Sequence, residues 1–177
     1  MFRRRDEGGR GGGQAPANVY QMHQRMFSIG DDFWIENGAG QRVFKVDGKA
    51  LRVRETLELQ GAGGNTLYTI REKLVSIREV MTIEGPTGPV AKVSKALISP
   101  LRERYQIELT SGGEWTAQGN IVDHQYEIEG PAGKVAEVSK RWFAIRDTYG
   151  IEVAPGQDDA LILAIAIVID QMSHATR

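Results

Sequence analysis

Asp158-Asp159-Ala160-Leu161-Ile162-Leu163-Ala164-Ile165-Ala166-Ile167-Val168-Ile169-Asp170-Gln171-Met172 is the stretch whose reading decides the fold. Ten apolar residues stand in a row between acidic ones. A membrane-spanning helix needs about 20 such residues, so this run is too short to cross a bilayer. A helix that is apolar on every face must be buried. Asp158 or Asp159 supplies a cap and a negative charge at the positive end of the helix dipole. A helix of about 14 residues is ~21 Å long, and a six-residue strand spans ~20 Å. The helix therefore fits along the axis of a β-barrel. The many isoleucines also suit a buried central strand, and a membrane hairpin or anchor is the third local reading.

Outward from that run, the chain repeats itself. Ile83-Glu84-Gly85-Pro86-Thr87-Gly88-Pro89-Val90-Ala91-Lys92-Val93-Ser94-Lys95 recurs as Ile128-Glu129-Gly130-Pro131-Ala132-Gly133-Lys134-Val135-Ala136-Glu137-Val138-Ser139-Lys140, with ten of thirteen positions identical at an offset of 45. Each copy reads as strand, tight turn, strand. Proline presets φ at the second turn position, and glycine is favoured at the fourth. A looser third copy starts at Ile35-Glu36-Asn37-Gly38-Ala39-Gly40. Period-two alternation marks further strands: Phe33 and Ile35 about Trp34; Tyr105, Ile107 and Leu109; Trp115, Ala117 and Gly119; Tyr126 and Ile128; Tyr149, Ile151 and Val153. Roughly ten to twelve short strands between Phe33 and Val153 mean a sandwich or barrel. Small residues such as Ala91, Ala117, Gly119 and Ala136 on inward faces leave room for something inside.

Composition bounds the function. The formal charge of −1 and the modest length of 177 residues suit one domain and give no field that attracts nucleic acid. The absence of cysteine excludes disulfides, thiolate metal sites, thiol catalysis and S-acylation, and suits a reducing compartment. Arg3, Arg4 and Arg5 are followed by Asp6-Glu7-Gly8-Gly9 with no apolar stretch, so no secretory signal is read there. Residues 1–17 hold five glycines and almost nothing to bury, which is the composition of a disordered, slightly basic tail. The expected domain is residues 18–177, and the expected location is cytoplasmic, peripheral to a membrane.

Met22-His23-Gln24-Arg25-Met26-Phe27-Ser28-Ile29-Gly30-Asp31-Asp32-Phe33-Trp34-Ile35, the Gly-Pro-x-Gly hairpins and the Asp-Asp-Ala-Leu-Ile-Leu-Ala-Ile-Ala run together resemble the LURP-one-related proteins. The resemblance covers about Tyr20 to Met172. It implies a tubby-like fold: a closed antiparallel barrel of about twelve strands around a central hydrophobic C-terminal helix, a fold thought to be shared with phospholipid scramblases. Most members of the family have no assigned activity. Tubby domains bind phosphoinositides through surface Lys and Arg, but that site has no position-by-position match here. Scramblases carry acylated cysteines, a calcium segment and a membrane-anchoring extension. This chain has no cysteine, no calcium-loop rhythm and few residues after Met172.

Catalytic signatures are absent. His23, His124 and His174 lie far apart without metal-ligand spacing. There is no Gly-x-Ser-x-Gly elbow and no P-loop. Gly61-Ala62-Gly63-Gly64-Asn65 reads as a hairpin loop, and Asp31-Asp32 and Asp158-Asp159 as turn and cap residues. No metal, no cofactor and no enzyme activity are expected. Basic residues cluster modestly: Lys92, Lys95, Arg102, Arg104, Lys140 and Arg141. They suit a solvated face or a patch for anionic head groups, to which each cation contributes about 1 kcal/mol. Trp142 and Phe143 suit the core or interfacial insertion. The leading expectation is a non-enzymatic binding domain for anionic phospholipid at a membrane surface. The alternatives are a scaffold for an unidentified protein with no lipid role, and a small-ligand carrier or enzyme with a pocket at the barrel mouth.

Overall fold

The computed structural model describes residues 17–23, 32–47, 56–75, 78–96, 103–142 and 148–175. Twelve strands follow in chain order: β1 (Asn18–His23), β2 (Phe33–Asn37), β3 (Arg42–Asp47), β4 (Thr56–Gly61), β5 (Thr66–Val75), β6 (Arg78–Gly85), β7 (Gly88–Lys95), β8 (Glu103–Leu109), β9 (Glu114–Asn120), β10 (Gln125–Gly130), β11 (Gly133–Ser139) and β12 (Thr148–Val153). Each pairs antiparallel with its neighbours in sequence, and β1 pairs with β12. The sheet thus closes on itself, which removes the unpaired edges that open sheets must protect. A helix, α1 (Asp159–Ala175), completes the described chain.

Alternation along the strands turns one set of side chains inward. Ile35, Val46, Leu59, Ile83, Val93, Ile107, Ile128 and Ile151 are all fully buried, and they meet a helix whose residues from Ile162 to Ile169 are fully buried as well. Ala91, Ala117 and Ala136 are the small wall residues that make room for it. The sequence gives Ala-Ile alternation to a helix rather than to a strand because, in a closed barrel, only a segment with all its backbone hydrogen bonds internal can lie on the axis. At 17 residues α1 is about 25 Å long, matching the barrel height. Ile162, Leu163, Ile165, Ile167, Val168 and Ile169 each contribute about 1.5–3 kcal/mol on burial, an upper bound for a compact unfolded state.

The repeated segments are the hairpins β6–β7 and β10–β11. Both shift register at the same place, between Ile83 and Glu84 and between Ile128 and Glu129. Gly88 and Gly133 have φ of 129° and 115° at equivalent positions, backbone angles that a residue with a Cβ resists. One strand precedes those expected from Phe33 onward. β1 carries only Tyr20 and Met22 into the core, so its local pattern is weak. It is held by pairing with β12, more than a hundred residues away. The tail expected over residues 1–17 lies, apart from Ala17, outside the described residues.

Candidate functional site: the two ends of the barrel

The direction of α1 distinguishes the two ends. At its N-terminus, the N-end, Asp158 caps the helix: Leu161 N donates to Asp158 Oδ1 at 3.0 Å and Ile162 N to the Asp158 carbonyl at 3.0 Å. Tyr68 OH donates to Asp158 Oδ2 at 2.6 Å, and Tyr20 OH and Asn18 Nδ2 both donate to Asp159 Oδ2. Burial first, and then the bonded carboxylate, push both phenols up from their usual range. The acids sit where the dipole favours them, and each has hydrogen-bond donors.

The other end, the C-end, is arranged differently. The β9–β10 turn holds His124 in the left-handed region at φ 53°. From there the side chain reaches the helix, and His124 Nε2 donates to Asp170 Oδ1 at 2.6 Å, with both side chains buried. Tyr149 on β12 stacks on the His124 ring at 4.2 Å between centroids. His174, one turn further along α1, donates from Nδ1 to the Asp170 carbonyl at 2.8 Å and lies 3.7 Å from Asp170 Oδ1. Several buried polar atoms here have no hydrogen-bond partner among the described residues: His124 Nδ1, Asp170 Oδ2, Tyr105 OH, Tyr149 OH and Glu103 Oε2. Burial pushes the phenols of Tyr105, Tyr126 and Tyr149 up, and the Asp170 carboxylate adds to this in all three. Leaving such groups unpaired costs about 1–3 kcal/mol each, so their gathering at one end calls for an explanation.

The basic residues singled out from the sequence lie mostly at this same end. Lys95 ends β7, Arg104 is the second residue of β8, and Lys140 and Arg141 lie in a single 3-10 turn just after β11. Lys92 stands three residues inside β7. Arg102 and Phe143 fall outside the described residues. Lys92 pairs with Glu108 at 3.6 Å, Lys95 with Glu103 at 2.8 Å and Arg141 with Glu137 at 2.8 Å, while Arg104 donates to Gln118 at 3.0 Å. Lys140 makes no ion pair among the described residues. Lys95 has the inward parity of Ala91 and Val93, so it faces the barrel mouth rather than the outer wall. An open groove of about 420 Å³ crosses the outer wall beside Arg141, but Glu127 and Glu137 line it too, so it is no anion cradle.

Sequence reasoning missed His124, Asp170, Tyr105 and Tyr149 as a group. His124 and Asp170 are 46 residues apart, and only the closed barrel brings them together. The available signal was Asp170 itself, a carboxylate straight after the apolar run. All three histidines fall at the C-end, since β1 ends at His23. Among the described residues, no three His, Asp or Glu side chains stand at metal-holding spacing, and no helix is long and apolar enough to cross a membrane.

A closed antiparallel barrel of twelve strands threaded by an apolar helix is a tubby-like barrel. The chain belongs to the LURP-one-related family, whose model matches residues 18–170. It is 31% identical over 153 residues to the uncharacterised protein YxjI of Bacillus subtilis (strain 168), covering 86% of this chain and 92% of YxjI. An X-ray structure of an Arabidopsis thaliana protein has the same fold, with a TM-score of 0.66, 16% identity, and coverage of 90% of this chain and 94% of that one.

Proposed function

We propose that the chain is a non-enzymatic binding domain that engages anionic phospholipid head groups with the rim at the C-end. The observation that carries this reading is positional. Lys95 at the end of β7, Arg104 at the start of β8, and Lys140 and Arg141 in the turn after β11 all lie at the end of the barrel that holds the C-terminus of α1. Arg104, Lys140 and Arg141 make the outer contact, while Lys95 turns toward the mouth. Their present partners do not count against this. Exposed ion pairs are worth about 0–1 kcal/mol, so a charged surface can take over a cation at little cost. The packed helix further favours a surface role, because it fills the axis where a substrate would otherwise lie.

Cosedimentation with anionic vesicles tests the proposal. Binding is expected at low salt and should fade as salt rises, because the Debye length falls from about 10 Å at 0.1 M to about 3 Å at 1 M. Replacing Arg102, Arg104, Lys140 and Arg141 with Gln should abolish it and leave the melting temperature nearly unchanged. A wild-type protein that ignores anionic vesicles at low salt would defeat the lipid reading and leave a scaffold for a protein partner as the better one.

A further inference from the structure

Among the described residues, the inner wall of the C-end carries more carboxylates than its resident cation, Lys95, offsets. Glu79 on β6 shares the inward parity of Met81 and Ile83, and Glu103 on β8 that of Tyr105 and Ile107. Between them on β7 is Lys95, opposite Tyr105 in the register. Burial, and then the neighbouring Glu72, hold the Glu79 carboxyl above the usual range. Deeper in lies Asp170, buried near the negative end of the helix dipole. Tyr105 is fully buried, and its hydroxyl has no partner among the described residues. It lies in the field of Glu103, Glu79 and Asp170 together. Glu103 keeps one oxygen, Oε2, buried and likewise without a partner there.

Lys95 indicates which chemistry this wall accepts. Its ammonium donates to Glu103 Oε1 at 2.8 Å and stands 5.9 Å from the centre of the Tyr105 ring. A carboxylate beside an aromatic face is the recognition geometry for an organic cation. The carboxylates are spread over β5, β6, β8 and α1 rather than gathered at metal-ligand spacing, which suits an elongated amine better than a compact divalent ion. Among the described residues, the basic groups facing them are Lys95 and, on the Asp170 side, His124 and His174.

We infer that the inner wall formed by Glu79, Lys95, Glu103 and Tyr105 binds an alkylammonium group, with Lys95 as the resident occupant that an incoming amine displaces. The amine comes either from a soluble polyamine or from an ethanolamine head group in a membrane. This site faces the barrel mouth and is independent of the outer rim cations.

Calorimetric titration of the full chain with spermidine tests it, with magnesium chloride at matched ionic strength as the charge control. Wild type should bind spermidine in preference to magnesium. Glu79→Gln and Glu103→Gln should each weaken binding several-fold. Lys95→Met should tighten it several-fold, a gain that a purely structural lysine would not produce. Melting temperatures establish that each variant is folded, and either carboxylate variant suffices if the other is not. Vesicles of phosphatidylcholine with and without phosphatidylethanolamine separate the two sources: retention by ethanolamine lipid, competed by spermidine, assigns the head group, and spermidine binding alone assigns a soluble amine. If neither spermidine nor ethanolamine vesicles bind, or if folded Lys95→Met binds no better than wild type, the inference is wrong.

Discussion

At the N-end of α1 two acids accept hydrogen bonds from Tyr20, Tyr68, Asn18 and the backbone of the first helical turn; at the C-end a third acid, Asp170, has among the described residues a single side-chain donor, His124, and one oxygen without a partner. The ingredients are the same, carboxylates beside tyrosines, but the electrostatics are opposed. Asp158 and Asp159 meet the positive end of the helix dipole, whereas Asp170 lies toward the negative end. The N-end is also where the short bulged hairpins β2–β3, β4–β5, β6–β7 and β10–β11 turn. One end is thus built to hold the helix. The other keeps buried polar groups that have no partner among the described residues, the kind of local conflict that proteins retain at binding sites at the expense of stability.

The largest effect that could break this contrast is loss of the helix itself. Deleting everything after Gly156 removes the core from both ends at once. Burial of six fully enclosed helix side chains rivals a whole domain's stability of about 5–15 kcal/mol. An insoluble or molten chain is expected, and a truncated protein that melts sharply at the original temperature would refute the helix's central role.

A second effect comes from pH. All five tyrosines have their ionisation pushed above its usual value, two at the N-end and three at the C-end, with burial as the first cause throughout. In the unfolded chain they ionise near about 10. Above that pH the folded state keeps more protons than the unfolded one, so stability falls as pH rises. Ultraviolet titration of the native protein should show no tyrosine step near that pH, with ionisation appearing only as the fold is lost. A reversible step there in folded protein would mean the phenols are more accessible than the structure implies.

Point substitutions then compare the ends directly. Asp170→Ala leaves the buried His124 Nε2 without its acceptor and should cost about 1–3 kcal/mol, the usual penalty for an orphaned buried polar group. Asp158→Ala removes a cap and should cost about 0.5–2 kcal/mol. Chemical denaturation measures both. Equal losses at the two positions would remove the distinction between the ends.

The sequence carried the architecture because its signals are local. The apolar run from Ala160 to Ile169, the duplicated Gly-Pro-x-Gly hairpins and the period-two strands each report on their own segment. β1 was missed because two inward residues, Tyr20 and Met22, make too short a pattern. The C-end cluster was illegible for a stronger reason. His124 comes from a turn, Tyr149 from the last strand, Tyr105 from a middle strand and Asp170 from the helix. Nothing in their spacing predicts contact until the barrel closes. The rim cations were legible as residues, but not the inward turn of Lys95, whose parity is set by its pairing opposite Tyr105.

The most direct test of the C-end as the binding end uses two variants that lose equal charge. Lys140→Gln with Arg141→Gln discharges the rim, whereas Arg42→Gln with Lys134→Gln discharges the hairpins of the N-end. Both should melt within about 0.5 kcal/mol of wild type, as exposed substitutions do. In cosedimentation with anionic vesicles at low salt, the first variant is expected to lose most of its binding and the second to keep it. Equal loss in both variants would mean net charge rather than position governs association, and would contradict the assignment of the C-end.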